Sequence, residues 1–317
     1  MSALHEALTE YLAARRALGT QLMWPASSLH KFADFVRAEG AEFLTTEIAM
    51  RWALKSVGVQ RATHARRLAI VRAFAVWLQA TDARTQVPPH GLLPARHRRP
   101  APHIYSDGEF AALIVAAGLL RSSSGLRGAT FKTLIGLLAS TGMRPGEALK
   151  LDLSDVDLVG GVLTIRESKF GKSRFVPLDE SVRAALAAYS TLRDTVPVRL
   201  RRDTPAFFVT ARGSRLRGCA ARRTFAKLCK TVGLRSSEDP RRSGRGPRLH
   251  DIRHSFATRR LVEWYRAGLD VDRLMPRLST YLGHVSTVET YWYIQAVPEL
   301  LQLATERLET AARGDVR

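Results

Sequence analysis

Gly160 to Leu178 reads GGVLTIRESKFGKSRFVPL. The pattern over Val162–Glu167 and again over Arg174–Leu178 has a period of two, which belongs to strands, and a tight basic turn with Lys169 and Lys172 lies between. A turn lysine taken alone is ordinarily just solvated. On both sides of this hairpin the period is helical. Thr130–Ser140 (TFKTLIGLLAS) runs as a helix to Gly142, and SDGE at Ser106–Glu109 is a capping box that opens another. After Asp179 helices dominate, and Ala206–Thr210 (AFFVT) has the composition of a short extra strand. The second part of the chain therefore reads as mostly helical α+β with a small antiparallel sheet.

Upstream, Pro88–Pro102 (PPHGLLPARHRRPAP) holds five prolines in fifteen residues and cannot continue a helix or a central strand. Arg96, Arg98 and Arg99 sit among them. We read residues 88–104 as a stiff basic linker between a domain at 1–87 and one at 105–317. The first domain shows four helical stripes: Leu4, Leu8, Tyr11 and Leu12; Leu29, Phe32, Ala33 and Val36; Ile48 and Trp52; and Ile70, Phe74, Trp77 and Leu78. Glycines 19, 40 and 58 end the first three, which gives a small bundle. Arg61, Arg66 and Arg67 cluster at the start of the fourth helix, where cations oppose the helix dipole. Phosphate contacts account for them, and so does a solvated basic face.

The chain has 317 residues, 45% of them apolar, which is room for two real cores. Its formal net charge of +20 calls for a polyanionic partner, nucleic acid before membrane. No apolar run approaches the roughly 20 residues that span a bilayer. The N-terminal stretch is interrupted by acids and has no apolar signal core, so the expected location is the cytoplasm. Cys219 and Cys229 make no CxxC and read as two packed thiols.

Three stretches hold residue types that carry chemistry. In STGMRPGEALKL (Ser140–Leu151), Arg144 stands beside a positive helix end and wants an anion, or it pairs with Glu147 and ties the turn. In RGPRLHDIRHSFATRR (Arg245–Arg260), His250 and Arg253 share a helix face. Between Arg235 and Arg260 eight arginines face three acids, so Arg241, Arg242, Arg245 and Arg248 read as a DNA surface. His250 and His254 are four apart, but the glutamate of HExxH and a third zinc ligand are missing. In YLGHVSTVETYWYIQ (Tyr281–Gln295), Tyr291 and Tyr293 would point to nearly opposite faces of a helix, so one can enter a site with His284 while the other packs.

In chain order these residues are Arg144, Lys169, His250, Arg253, His284 and Tyr293. TGMRPGEALKLDLSDVDL, HDIRHSFAT and LGH together resemble the tyrosine recombinase family, the phage-integrase and Xer-like site-specific recombinases, over nearly the whole chain. The resemblance implies a helical, SAM-like core-binding bundle followed by the recombinase catalytic domain with a C-terminal tail helix. It implies that Arg144, His250, Arg253 and His284 bind the scissile phosphate, Lys169 protonates the leaving 5′ oxygen, Tyr293 is the nucleophile and Glu147 buttresses the site. Gln295 stands where the family often has histidine, and the interval from Arg253 to His284 is several residues longer than in compact members, a difference assigned to a connecting loop. The TYWYI…PELL ending resembles a branch found on mobile elements.

The residue types suit that chemistry. Guanidinium forks hold phosphate oxygens bidentately, and nearby cations or imidazoles assist a phenol whose pKa is ordinarily about 10. No acidic cluster for magnesium and no ATP-binding GxxxxGK[ST] loop occur in the sequence, so no cofactor is expected. The expected partner is double-stranded DNA, clamped by both domains, with four copies or a mixed recombinase assembly on two duplexes and no membrane. Leu300, Leu301, Ala304 and Leu308 form a tail stripe that docks on its own domain or on a neighbour. A type IB-like topoisomerase and a catalytically inactive DNA-binding relative are the competing readings.

Overall fold

The computed structural model describes residues 3–20, 23–95, 101–166, 173–195, 204–235, 246–284, 286–296 and 298–312. The chain divides into two compact units, Met1–Pro100 and Ala101–Arg317. In the first, α1 (Ala3–Ala17), α2 (Met23–Ala38), α3 (Thr46–Leu54) and α4 (Arg61–Leu78) occupy the four stretches that the apolar spacing predicts. Their stripes meet in one core that includes Leu8, Leu29, Phe32, Trp52 and Phe74. Phe32 meets Trp52 edge-on at 5.2 Å between ring centroids. Leu93, inside the expected linker, packs against this core, so that part of the linker belongs to the first unit.

The second unit opens with α5 (Asp107–Gly118), whose Ser106 and Glu109 form the expected capping box. Next comes α6 (Leu126–Thr141), buried on nearly every side, its buried Thr130 and Thr141 hydroxyls donating to the Leu126 and Leu137 carbonyls. The short α7 (Pro145–Lys150) and a three-residue turn of 3₁₀ helix lead into the sheet. Strands β1 (Val156–Asp157), β2 (Val162–Ile165) and β3 (Arg174–Pro177) form an antiparallel sheet in that order, with Leu163 opposite Val176. The two strands of the predicted hairpin are present, each trimmed. β1 spans two residues, too few for alternation to betray it. AFFVT makes only the isolated bridges Asp152 to Ala206 and Val209 to Arg215. Backbone bonds from Phe207 N to Leu151 O and from Leu216 N to Phe208 O hold it together with side chains, since the Tyr189 hydroxyl accepts from Val209 N at 3.1 Å and Thr130 Oγ1 donates to Val209 O at 3.1 Å.

The remaining helices are α8 (Glu180–Thr195), α9 (Gly218–Thr231), α10 (Asp251–Arg266), α11 (Val271–Leu282), α12 (Val288–Ala296) and α13 (Pro298–Ala312). The interval from Arg253 to His284 is filled by α10 and α11, with only Ala267–Asp270 between them. Leu261, Met275 and Leu278 of these helices meet in a second apolar cluster. The tail helix α13 inserts Leu300 into that same cluster, while Leu301 and Leu308 stay exposed. No described helix is long and apolar enough to cross a membrane.

Gly142 joins α6 to the site. Its φ of +60° lies in the left-handed region, and a Cβ there would stand 2.3 Å from the Phe256 ring. Gly142→Ala should therefore cost about 2–4 kcal/mol, from the left-handed penalty and the overpacking together. Urea unfolding should show this as a lower midpoint with an unchanged m-value. Wild-type stability would mean that Phe256 swings aside without cost.

Candidate active site

The turn after α6 places Arg144 as the N-cap of α7, with Pro145 at the first helical position. Glu147 reaches back, accepting from Arg144 N at 2.9 Å and from the Arg144 guanidinium at 3.0 Å. The pairing that would merely tie the turn is therefore present, but it is half of the arrangement. The same carboxylate accepts two bonds from Arg174, at 3.1 and 2.8 Å. Burial alone would raise the Glu147 pKa. The Arg174 hydrogen bonds and charge, and then Arg144, outweigh it and hold the group below its ordinary value.

Arg253 is 2% exposed, one of the most completely buried large side chains. It donates to Gly142 O at 3.0 Å and to Leu282 O at 2.7 Å. Burial lowers its pKa to about 10, partly offset by Tyr293, so it stays charged at neutral pH. The end of α11 explains where these donors go. Gly283, at φ +70°, closes the helix, with Gly283 N on Thr280 O and His284 N on Ser279 O, the Schellman pattern. Three terminal carbonyls follow, and each meets an arginine: Tyr281 O the Arg174 Nε at 3.0 Å, Leu282 O Arg253, and Gly283 O the Arg144 Nη2 at 2.9 Å. Cations at the negative end of a helix are favourable, and here they deliver His284 to the same place. His284 Nδ1 lies 2.7 Å from Thr290 Oγ1, which fixes the ring.

Tyr293 is 2% exposed and belongs to the apolar cluster around α10 and α11. Its ring stacks 6.2 Å from His284 and meets His254 edge-on at 5.3 Å. Tyr291 points away as helical geometry requires, exposed, its hydroxyl donating to Asp272 Oδ1 at 3.1 Å. His250 precedes α10 and lies edge-on to His254 at 5.0 Å. Though open to solvent on one side, it is hemmed in by protein. Desolvation first, then the Arg253 charge, push it down to about 4. The ring is neutral at neutral pH, and an incoming phosphate charge would raise its pKa again.

The fold thus gathers Arg144, Glu147, His250, Arg253, His284 and Tyr293 from three separate stretches of chain. Lys169, Arg96, Arg98, Arg99, Arg241, Arg242 and Arg245 lie outside the described residues. Arg61 and Arg66 are exposed on α4, but Arg67 lies over the Trp52 ring at 4.1 Å and bonds the Ser56 hydroxyl, so packing occupies it. Arg248 is engaged with the buried Asp251 carboxylate at 2.8 Å. Two residues were missed from sequence. Arg174 looked like the start of a strand. His254 was weighed only as half of a zinc pair, and among the described residues no third His, Cys, Asp or Glu joins His250 and His254.

Residues 119–299 match the phage integrase family. The chain is 43% identical over 312 residues to y4rB of Sinorhizobium fredii, whose name places it among integrases and recombinases, with 98% of each chain covered. It is 33% identical over 241 residues to the tyrosine recombinase XerD of Mycobacterium tuberculosis, covering 76% of this chain and 70% of that protein. In fold it is similar to the Tn1549 transposon integrase in complex with transposon right end DNA, with a TM-score of 0.62 at 16% identity, covering 96% and 99% of the two chains. The chain belongs to the phage integrase family and is a tyrosine-type site-specific recombinase.

Glu147→Gln should destabilise the fold at pH 7 by about 3 kcal/mol, because it leaves two buried guanidiniums without their counter-charge. Since the folded pKa lies below the ordinary 4.5, this contribution is complete above that value and is lost as pH falls through the folded pKa. Melting curves from pH 7 down to pH 3 should therefore show the wild type and the variant converging. A gap that stays constant with pH would contradict the charge argument.

Proposed function

We propose that this recombinase cuts and rejoins duplex DNA through a covalent 3′-phosphotyrosyl intermediate at Tyr293, in the service of a mobile element. One observation carries the reading: the buried phenol of Tyr293 lies among His254, His284 and the Arg253 charge, while Tyr291 faces solvent. The Tyr293 oxygen attacks the scissile phosphorus, forming the P–O bond to tyrosine and expelling the 5′ oxygen of the next nucleotide. Arg144 and Arg253 hold the non-bridging oxygens, and well-placed donors of this kind are worth on the order of 10²–10³ in rate. His250, neutral in the free protein, can accept the phenolic proton or bond the phosphate, and His284 is presented by the arginine-held end of α11. Lys169, which lies in sequence between β2 and β3, gives the leaving oxygen its proton. A 5′ hydroxyl of another strand then attacks the phosphotyrosine, releases Tyr293 and restores a phosphodiester. The bond energy is retained, so the reaction needs no energy cofactor.

Exchange between two duplexes needs four such sites, hence a tetramer of this chain or a mixed recombinase assembly on DNA in the cytoplasm. Both units bind the duplex, the first through α4 with Arg61 and Arg66. The 33% identity to XerD supports the site-specific reaction. The similarity to y4rB and the transposon integrase fold support the mobile-element role.

A nicked suicide substrate, which loses its 5′ fragment after cleavage, should trap wild-type protein on DNA and leave Tyr293→Phe untrapped. Tyr291→Phe should trap normally, because its hydroxyl makes only an exposed bond to Asp272. An adduct mapped to Tyr291, or scission with nothing attached to protein, would refute the mechanism. Relaxation of a two-site plasmid without exchange would return the topoisomerase reading. Binding to duplex should weaken steeply between 50 and 200 mM salt, as counterion release demands for several phosphate contacts.

A further inference from the structure

We propose that Arg174 is a positioning residue for the cleavage step: its guanidinium locks the Glu147–Arg144 pair to the last turn of α11, so that Arg144 and His284 meet the phosphate as one rigid unit. The proposal rests on the strand-cleavage reading above.

The observations are geometric. Arg174 is the first residue of β3, and its side chain is only 14% exposed. Three of its five N–H groups are assigned: two to the Glu147 carboxylate and Nε to Tyr281 O. Glu147 is fixed on α7 and bonded to Arg144, while Tyr281 stands three residues before His284. Arg174 thus bridges the two elements that present opposite sides of the site. No other described side chain bonds both the Glu147 carboxylate and a carbonyl of the α11 terminus except Arg144, which reaches Gly283 O. Without Arg174, Arg144 would be the one described side chain still joining the Glu147 carboxylate to that helix end, beside the Arg253 bonds to Gly142 O and Leu282 O, and both arginines must also bind substrate. Burial works to raise Glu147, and Arg174 is the first of the groups that hold it ionised.

The bridging depends on shape as well as charge. A planar fork can span a carboxylate and a carbonyl at once, while an ammonium acts as a point charge. Arg174→Lys keeps the charge and most of the packing stem, and it loses the span. A displacement of about 1 Å at a reacting centre can cost roughly 10²-fold in rate.

The test uses the full-length chain with Arg174→Lys, Glu147→Gln and the double variant. Readouts are the single-turnover rate of adduct formation on the suicide substrate, the Kd for duplex DNA, and Tm. Arg174→Lys should slow adduct formation by about 10- to 100-fold, with Kd within about twofold of wild type and the protein still folded at the assay temperature. The double variant should be about as slow as the slower single variant, because both act through one link. Wild-type cleavage by Arg174→Lys would overturn the proposal. So would a loss of DNA affinity as large as the loss of rate, which would make Arg174 a phosphate ligand, or rate losses that multiply in the double variant. Failure of the wild type to form any adduct would instead refute the strand-cleavage reading itself.

Discussion

The C-terminus of α11 and the carboxylate of Glu147 are what allow so many guanidiniums to be held in one place. Arg144, Arg174 and Arg253 would repel one another in a partly dehydrated site, and burial already lowers Arg253. Two sources of negative potential offset this. One is a formal charge on Glu147, 6% exposed and shared by two arginines. The other is the set of helix-end carbonyls, which need donors because no further turn of helix supplies them. A Schellman closure satisfies Ser279 and Thr280, and the arginines satisfy the next three. The helix end and the cation cluster stabilise each other, and His284 follows directly from that junction.

This arrangement suits a phosphodiester. The protein-derived acceptors are mostly neutral carbonyls, so the cluster keeps a net positive charge for an anionic substrate. Guanidiniums already held by carbonyls need little reorganisation when the phosphate arrives, which is the economy of a preorganised electrostatic site. Tyr293 lies close enough to feel the Arg253 charge and sits on the apolar side of the cluster, packed by His254 and Trp292.

Much of this was legible in the linear chain. Period and capping signals located α1 to α4, the α5 capping box and the β2–β3 hairpin, because those depend on neighbours three or four residues away, or two in a strand. The order of Arg144, His250, Arg253, His284 and Tyr293, with their flanking motifs, pointed to the family. The opposition of Tyr291 and Tyr293 followed from helical geometry alone. By contrast AFFVT carried strand composition but makes only isolated bridges, and its bonds reach Leu151, Tyr189 and Thr130, which no local pattern reveals.

The amino-acid sequence by itself determined the element types, the family and which residues have the right chemistry, since these rest on short-range periodicity and residue identity. Only the tertiary structure decided what each arginine does. Arg67 lies over Trp52 and Arg248 bonds Asp251, pairings that the sequence did not reveal. Arg174, which read as the edge of a strand, joins Glu147 to the end of α11. The reason is physical: a guanidinium's role is set by which acceptors lie within about 3 Å, and for Arg174, Arg144 and Arg253 some of those acceptors lie more than a hundred residues away in the chain.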